Sequence, residues 1–237
     1  MEEKKSLDGY KTCYIAFLDI LGFKNIVNGK TCEAILEIYK KIENRPFAQI
    51  MRNGEDLVAT NSVCLKVMSD SICIYVEKEV KNALFALIET CALFQAHLAV
   101  LKEPIFLRGA IVVGDIYANG DKTFGPGLTK AYLLEEKVAK YPRIIIAGDL
   151  VEEGLKTMTK QAIDIIQKQL ILDSDYFMII NFLRFLELPQ IEKVRNYVGK
   201  KLSGTSQESY DISIREKYLY MQGYIKDFMD VVEGNHV

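Results

Sequence analysis

Residues 14–24, YIAFLDILGFK, constrain this chain more than any other stretch. They open as an apolar strand, reach a single carboxylate at Asp19 and turn at Gly22. The near-continuous apolar character of residues 13–20 is that of a central strand covered on both sides. A carboxylate in such a run is costly to bury without a partner, and a metal ion is a common one. Gly22 permits a tight turn, so the amides of Phe23 and Lys24 can point at an anion from the start of a helix. A second run, KVMSDS over residues 66–71, puts Asp70 in the bend of a β-hairpin. Two carboxylates at the ends of apolar strands, beside a glycine turn and a lysine, form the pattern of a metal–phosphate site. The same residues also admit a local reading, with Asp19 capping a helix and Asp70 serving a turn.

Bulk properties exclude several alternatives. The 237 residues suffice for one large domain or a core with an appendage. A net charge of −2 supplies no general attraction to nucleic acid or to an anionic membrane, so neither is expected as a partner. The first residues, MEEKKSLDGYK, lack the apolar stretch of a signal peptide. The longest apolar run, residues 83–101, is broken by Glu89, Gln95 and His97 and reads as a buried helix, not a membrane span. Five cysteines without a C-x-x-C spacing read as small buried hydrophobes in a reducing, cytoplasmic setting. With only His97 and His236, neither a zinc site nor a Ser-His-Asp hydrolase is expected.

In chain order, the pattern predicts a strand over 13–20 and helix over 23–52, split near residues 28–31 with Thr31 as N-cap and disturbed by Pro46. A polar loop over 53–61 leads to a hairpin, 62–68 and 71–76, with Val63, Leu65 and Val67 on one face and Lys66, Met68 and Asp70 of the other parity. A long helix over 80–101, a strand over 105–117 bulged at a glycine, and an Asn119-Gly120 turn follow. Glycines around Pro126 open a helix to about residue 140, and 143–147 form another strand. The β-α-β-β-α-β order implies a ferredoxin-like α/β sandwich with helices on one face of the sheet. Beyond residue 150, two short strands or a helix are expected over 169–183. Helices over 189–202 and 212–232, separated by a loop, complete an extension packed on the core or on a partner chain.

Taken in order, FLDILGF, KVMSDS, LRGAIVVG and FGPGLTKAYLLEEKVAKYPRIIIA resemble the class III nucleotidyl cyclases over about residues 13–150. AYLLE, YPRI and the helical extension are similar to the Pycsar branch, bacterial anti-phage enzymes that make cyclic UMP or cyclic CMP. The resemblance implies a cyclase catalytic domain over 1–150 and a C-terminal extension over 151–237. It implies that Asp19, Asp70 and the carbonyl of Ile20 bind two ions of Mn2+ or Mg2+, hard cations suited to oxygen ligands. It further implies that Gly22, Phe23 and Lys24 cradle phosphates of UTP or CTP. Arg108 would grip the triphosphate, where arginine offers bidentate contacts, or else form an inter-strand ion pair. Lys66 would read the base or be a solvated strand residue. Homodimeric sites, and a separate effector reached only through the cyclic product, complete the expectation.

One departure stands out. Where conventional class III enzymes carry an asparagine and, four residues on, an arginine, this chain has Thr129 and Leu133. Leucine cannot stabilise developing charge by hydrogen bonding. Lys130, Tyr132 and Arg143 are nearby in sequence. A catalytically inactive nucleotide-binding module is the alternative reading.

Overall fold

The structure, a computed structural model, describes residues 9–43, 51–52, 55–57, 62–148, 150–208 and 212–234. The first half runs β1 (Lys11–Ile20), α1 (Phe23–Gly29), α2 (Cys32–Glu43), a short ribbon of β2 (Met51–Arg52) and β3 (Glu55–Asp56), β4 (Val63–Met68), β5 (Ser71–Glu77), α3 (Ala83–Ala99) and β6 (Leu107–Asn119). The second half runs β7 (Lys122–Phe124), α4 (Pro126–Val138), β8 (Ile144–Ile146), α5 (Leu150–Leu155), α6 (Lys160–Gln169), β9 (Leu170–Leu172), β10 (Met178–Ile180), α7 (Leu188–Glu208) and α8 (Ile212–Val232).

The main sheet has the order β4-β5-β1-β6-β8-β10-β9, with β7 paired to β6. β1 lies antiparallel to both β5 and β6. With helices joining β1 to β4 and β5 to β6, these four strands form the β-α-β-β-α-β unit expected from the pattern. β8 then adds parallel to β6, and β10 and β9 carry the sheet across residue 150. The 169–183 segment therefore resolves as a hairpin and not a helix.

Helices cover both faces of the sheet, not one. Along β1, Tyr14, Ala16, Leu18 and Ile20 belong to the core formed with α3, whereas Cys13, Ile15 and Phe17 belong to the core formed with Ala131 of α4. Alternate residues of a strand face opposite sides, so α3 and α4 lie on opposite faces. This explains why β1 has no polar alternation: it is buried on both sides. α3 is itself enclosed nearly all round, with Ala96 and Ala99 in a further core against α7 and α8. A helix apolar all round must be covered on every side, and the C-terminal helices supply the outer cover.

Three local expectations are corrected. The β1–β6 register runs unbroken from Lys11↔Ile116 to Ile20↔Leu107, so no glycine bulge interrupts β6. Gly114 serves close approach instead: a Cβ there would meet the Cα of Gly127 at 2.6 Å, and this contact seats α4 on the sheet. The helix expected to reach residue 52 does not, because Met51 and Arg52 pair with Asp56 and Glu55; residues 44–50, including Pro46, lie outside the described residues. The loop expected from residue 203 is helical through Glu208, with the Ser203 hydroxyl donating to the Gly199 carbonyl at 2.8 Å. This back-bond lets serine sit inside a helix. The split near residues 28–31 holds, and the Thr31 hydroxyl accepts from the Ala34 amide.

Substituting Gly114 by alanine forces backbone apart at the α4–β6 contact. The expected result is a loss of about 1–3 kcal/mol of stability, read by chemical denaturation, with an exposed control such as Gly223→Ala causing no comparable loss.

Candidate active site

The site is built at the C-terminal end of β1. Asp19 shares the parity of Cys13, Ile15 and Phe17, so it belongs to the α4 side of the sheet. In register it sits between Ser71 of β5 and Arg108 of β6. Arg108 Nε donates to Asp19 Oδ2 at 2.8 Å and lies 2.8 Å from Glu135 Oε1 of α4. One N–H cannot make two straight hydrogen bonds. Glu135 Oε1 is accordingly buried in an ion-pair contact without a hydrogen bond of its own. Neither Nη group of Arg108 donates to a described residue. The guanidinium is gripped by its inner edge, and its outer edge keeps donors for a further anion.

Electrostatics follow from burial. Glu135 is 3% exposed, and burial pushes its carboxyl up to about 7, against the opposing pull of Arg108 and with Asp19 adding repulsion. Burial likewise raises Asp19; Arg108 opposes the rise, Asp70 reinforces it, and Lys217 of α8 lowers it. Asp19 and Asp70 are therefore close enough to repel.

Short backbone links hold Asp70 beside Asp19. The Ile20 amide donates to the Asp70 carbonyl at 3.0 Å, and the Tyr39 hydroxyl donates to the Ser69 carbonyl at 3.0 Å. Ser69 adopts φ 57, the tight bend of the β4–β5 turn. Gly22 precedes α1 with φ 75, and its carbonyl accepts from Asn25 and Ile26. The amides of Phe23 and Lys24, first in the helix, have no intrahelical acceptor. The strand end thus gathers Asp19, Ile20, Asp70, Gly22 and Arg108. Lys66 is engaged elsewhere: its ammonium donates to the Gly120 carbonyl of the β6–β7 turn at 2.6 Å.

Two carboxylates with the Ile20 carbonyl make an all-oxygen donor set, the type a hard divalent cation takes. The mutual repulsion of Asp19 and Asp70 is what a cation would relieve. Among the described residues, no group of three or more His, Cys, Asp or Glu side chains is arranged for a metal ion. Such a site would depend on two carboxylates, backbone oxygen and groups from outside the chain.

The helix that departs from the cyclase pattern is placed plainly. The Thr129 hydroxyl turns back to the Gly125 carbonyl at 3.4 Å, and Leu133 is exposed. Of the nearby substitutes, Arg143 is buried against Asp173 and Asp175, and Lys130 approaches the Val113 carbonyl. Tyr132 packs edge-on against Phe17 at 5.6 Å, two residues before Asp19. Glu135 is the residue that sequence reasoning missed. Its signal was present: Gly127, Ala131 and Glu135 recur every four residues, so one buried helix face carries two small residues and a carboxylate. The cysteines form no disulfides among the described residues, with Cys13, Cys73 and Cys91 buried and Cys32 exposed. His97 is exposed on α3. No described helix is long and apolar enough to cross a membrane.

No family model matches the chain, and no curated protein matches it. Among solved structures it is similar to the catalytic core of a rhodopsin-guanylyl cyclase with converted specificity bound to ATPαS, with TM-score 0.47, 12% identity, and 72% of this chain and 96% of that chain covered. An adenylate/guanylate cyclase/hydrolase from Silicibacter pomeroyi gives TM-score 0.41, 18% identity, and 69% and 84% coverage. A class III adenylyl cyclase-like ATP-binding protein from Pseudomonas aeruginosa gives TM-score 0.44, 7% identity, and 80% coverage of this chain but 43% of that one. The ferredoxin-like core stands on strand order and register.

The raised Glu135 carboxyl has a pH signature. Between the ordinary glutamate value of 4.5 and about 7, the native state holds a proton that the unfolded state has lost, so stability falls as pH rises through this window. In metal-free protein, Glu135→Gln removes this dependence. The variant is expected to gain on the parent between pH 5 and pH 8 by on the order of 1–3 kcal/mol, as followed by urea unfolding at each pH.

Proposed function

We propose that this protein is a metal-dependent nucleotidyl cyclase that closes UTP or CTP to a 3′,5′-cyclic pyrimidine mononucleotide with release of pyrophosphate. The observation that carries the reading is Arg108. It is held at Nε beside Asp19 and Glu135 with both Nη groups free, next to a second carboxylate at Asp70 and the unpaired first amides of α1. Triphosphate recognition needs such an outward-facing guanidinium edge and such amides. Asp19, Asp70 and the Ile20 carbonyl would hold two ions of Mn2+ or Mg2+. When bound, such ions acidify the ribose 3′-hydroxyl and offset charge on the departing pyrophosphate. Arg108 orients the triphosphate, while Gly22, Phe23 and Lys24 present backbone N–H groups to its phosphates. The 3′-oxygen bonds to the α-phosphorus as the bond to the β-phosphate breaks.

A homodimer with sites at the interface, a defence role against phage and a separate effector activated by the product belong to the same proposal, on the motif resemblance. The exposed apolar side chains of Tyr132 and Leu133 on α4, beside the site face of β1, support a second chain there. A second reading, a nucleotide-binding module without turnover, is favoured by Thr129 and Leu133: one hydroxyl is turned back to its own helix and the other side chain cannot donate.

Purified protein incubated with each of the four nucleoside triphosphates and Mn2+, with products read by mass spectrometry, separates the two. A cyclic pyrimidine product is expected. Asp19→Ala and Asp70→Ala should each abolish it while circular dichroism stays unchanged. Full activity in either variant rules out the two-ion site, and nucleotide binding without product selects the module reading.

Base choice is tested at Lys66. If its ammonium leaves Gly120 to read the base, Lys66→Ala changes the ratio of kcat/KM values among the four nucleotides. A uniform change across all four makes Lys66 only a tie between β4 and the β6–β7 turn.

A further inference from the structure

A cavity of about 750 Å³ borders the β1–α1 turn at Leu21 and Gly22 and lies between the core helices α1 and α2, the α3–β6 connection, and the C-terminal helices α7 and α8. Its size is that of small-molecule sites. One wall is aromatic: Phe106, Tyr197 and Tyr218 meet with ring centroids 6.3–6.5 Å apart. The remainder is basic. Five lysines line the cavity against two glutamates, a surplus of positive charge on a chain whose net charge is −2.

Both glutamates are already occupied, Glu37 by Lys40 and Glu103 by Lys30. The other four lysines come from four separate parts of the chain: Lys41 from α2, Lys102 from the α3–β6 connection, Lys201 from α7 and Lys217 from α8. None of them forms an ion pair with a described acid. Lys201 lies over the Tyr197 ring at 5.6 Å. Glu37 also attracts Lys41, and Glu103 attracts Lys102 and Lys201, but five lysines against two glutamates leave a positive surplus whose convergence is a cost that a bound anion would offset.

We propose that this cavity is a second ligand site, distinct from the Asp19–Asp70 site, and that it takes a nucleoside polyphosphate. The base lies against the Phe106–Tyr197–Tyr218 wall, where ring faces and edges accept a flat heterocycle. The phosphates lie among Lys41, Lys102 and Lys217. The cavity also reaches Leu21 and Gly22, the turn that follows Asp19. The two sites separate experimentally at Lys41 and Lys102, which line this cavity and take no part in the Asp19–Asp70 site.

The test is isothermal titration of the full-length Asp19→Ala/Asp70→Ala protein with ATP, and separately with inorganic tripolyphosphate, in excess EDTA. Saturable ATP binding is expected, weakened about tenfold or more when Lys41→Glu and Lys102→Glu are added, since both side chains are exposed and their reversal leaves the core untouched. Tripolyphosphate is expected to bind more weakly than ATP because it lacks a base. No ATP binding, or binding indifferent to the two charge reversals, overturns the site. Tripolyphosphate binding as tight as ATP overturns the nucleoside assignment. Failure of cyclase turnover bears on neither outcome, because the titration is made in a background without Asp19 and Asp70.

Discussion

Arg108 between Asp19 and Glu135 is the contact on which the site end of the sheet depends. β1 is buried on both faces, and a strand so covered tolerates a carboxylate only where a counter-charge can be placed in register. The antiparallel β1–β6 pairing puts Arg108 directly opposite Asp19. The Gly114–Gly127 contact brings α4 low enough for Glu135 to reach the same guanidinium from above. Remove Arg108 and both carboxyls are left buried without their cation. Their shared cost is visible in the raised pKa of both carboxyls, Glu135 reaching about 7. Two acids compete for one Nε, and the arrangement is most comfortable with one of them protonated or with additional positive charge nearby.

That imbalance is the physical reason to read the strand end as a place where chemistry happens and not as a structural tie. A purely structural salt bridge would match one acid to one base and satisfy every polar atom. Here Glu135 Oε1 lacks a hydrogen bond and the outer edge of Arg108 lacks an acceptor. A third carboxylate, Asp70, sits close enough to add repulsion. Unmet donors and surplus negative charge in one small region are what the proposed cation and polyanion would answer. The rest of the site is backbone: the left-handed Gly22, the open amides of α1 and the Asp70–Ile20 link.

Much of this was legible in the sequence because it rests on local chemistry. Asp19 after an apolar run, Gly22 in a turn, Asp70 in a hairpin bend and Arg108 opening an apolar strand can each be found by pattern. The β-α-β-β-α-β order follows from periodicity and turn residues, which report short-range preferences. Glu135 was not found because its meaning depends on how far α4 descends onto the sheet, a distance set where Gly127, two turns earlier on the same helix, meets Gly114 of β6. The glycine bulge expected in β6 failed for a related reason. A glycine in a strand signals either a bulge or a close neighbour, and only the packed helix decides between them. Lys66 shares the parity of Asp70, yet its long stem carries its ammonium to Gly120. Parity fixes where a side chain starts, not where a flexible one ends.

The C-terminal helices belong to the same physical system as the site. Arg143, 3% exposed at the start of β8, is clamped by Asp173 and Asp175 of the β9–β10 turn and lies over the rings of Tyr141 and Tyr220. Tyr220 of α8 stacks on Tyr141 at 4.8 Å and donates to Asp173 at 2.6 Å. Tyr224, one turn further, donates to Asn181 at 2.7 Å. These contacts dock α8 against the sheet and fix its rotation. Lys217 lies three residues before Tyr220, a spacing that places both along one side of the helix. The clamp that closes the outer layer over α3 therefore also determines where the Lys217 charge stands relative to Asp19.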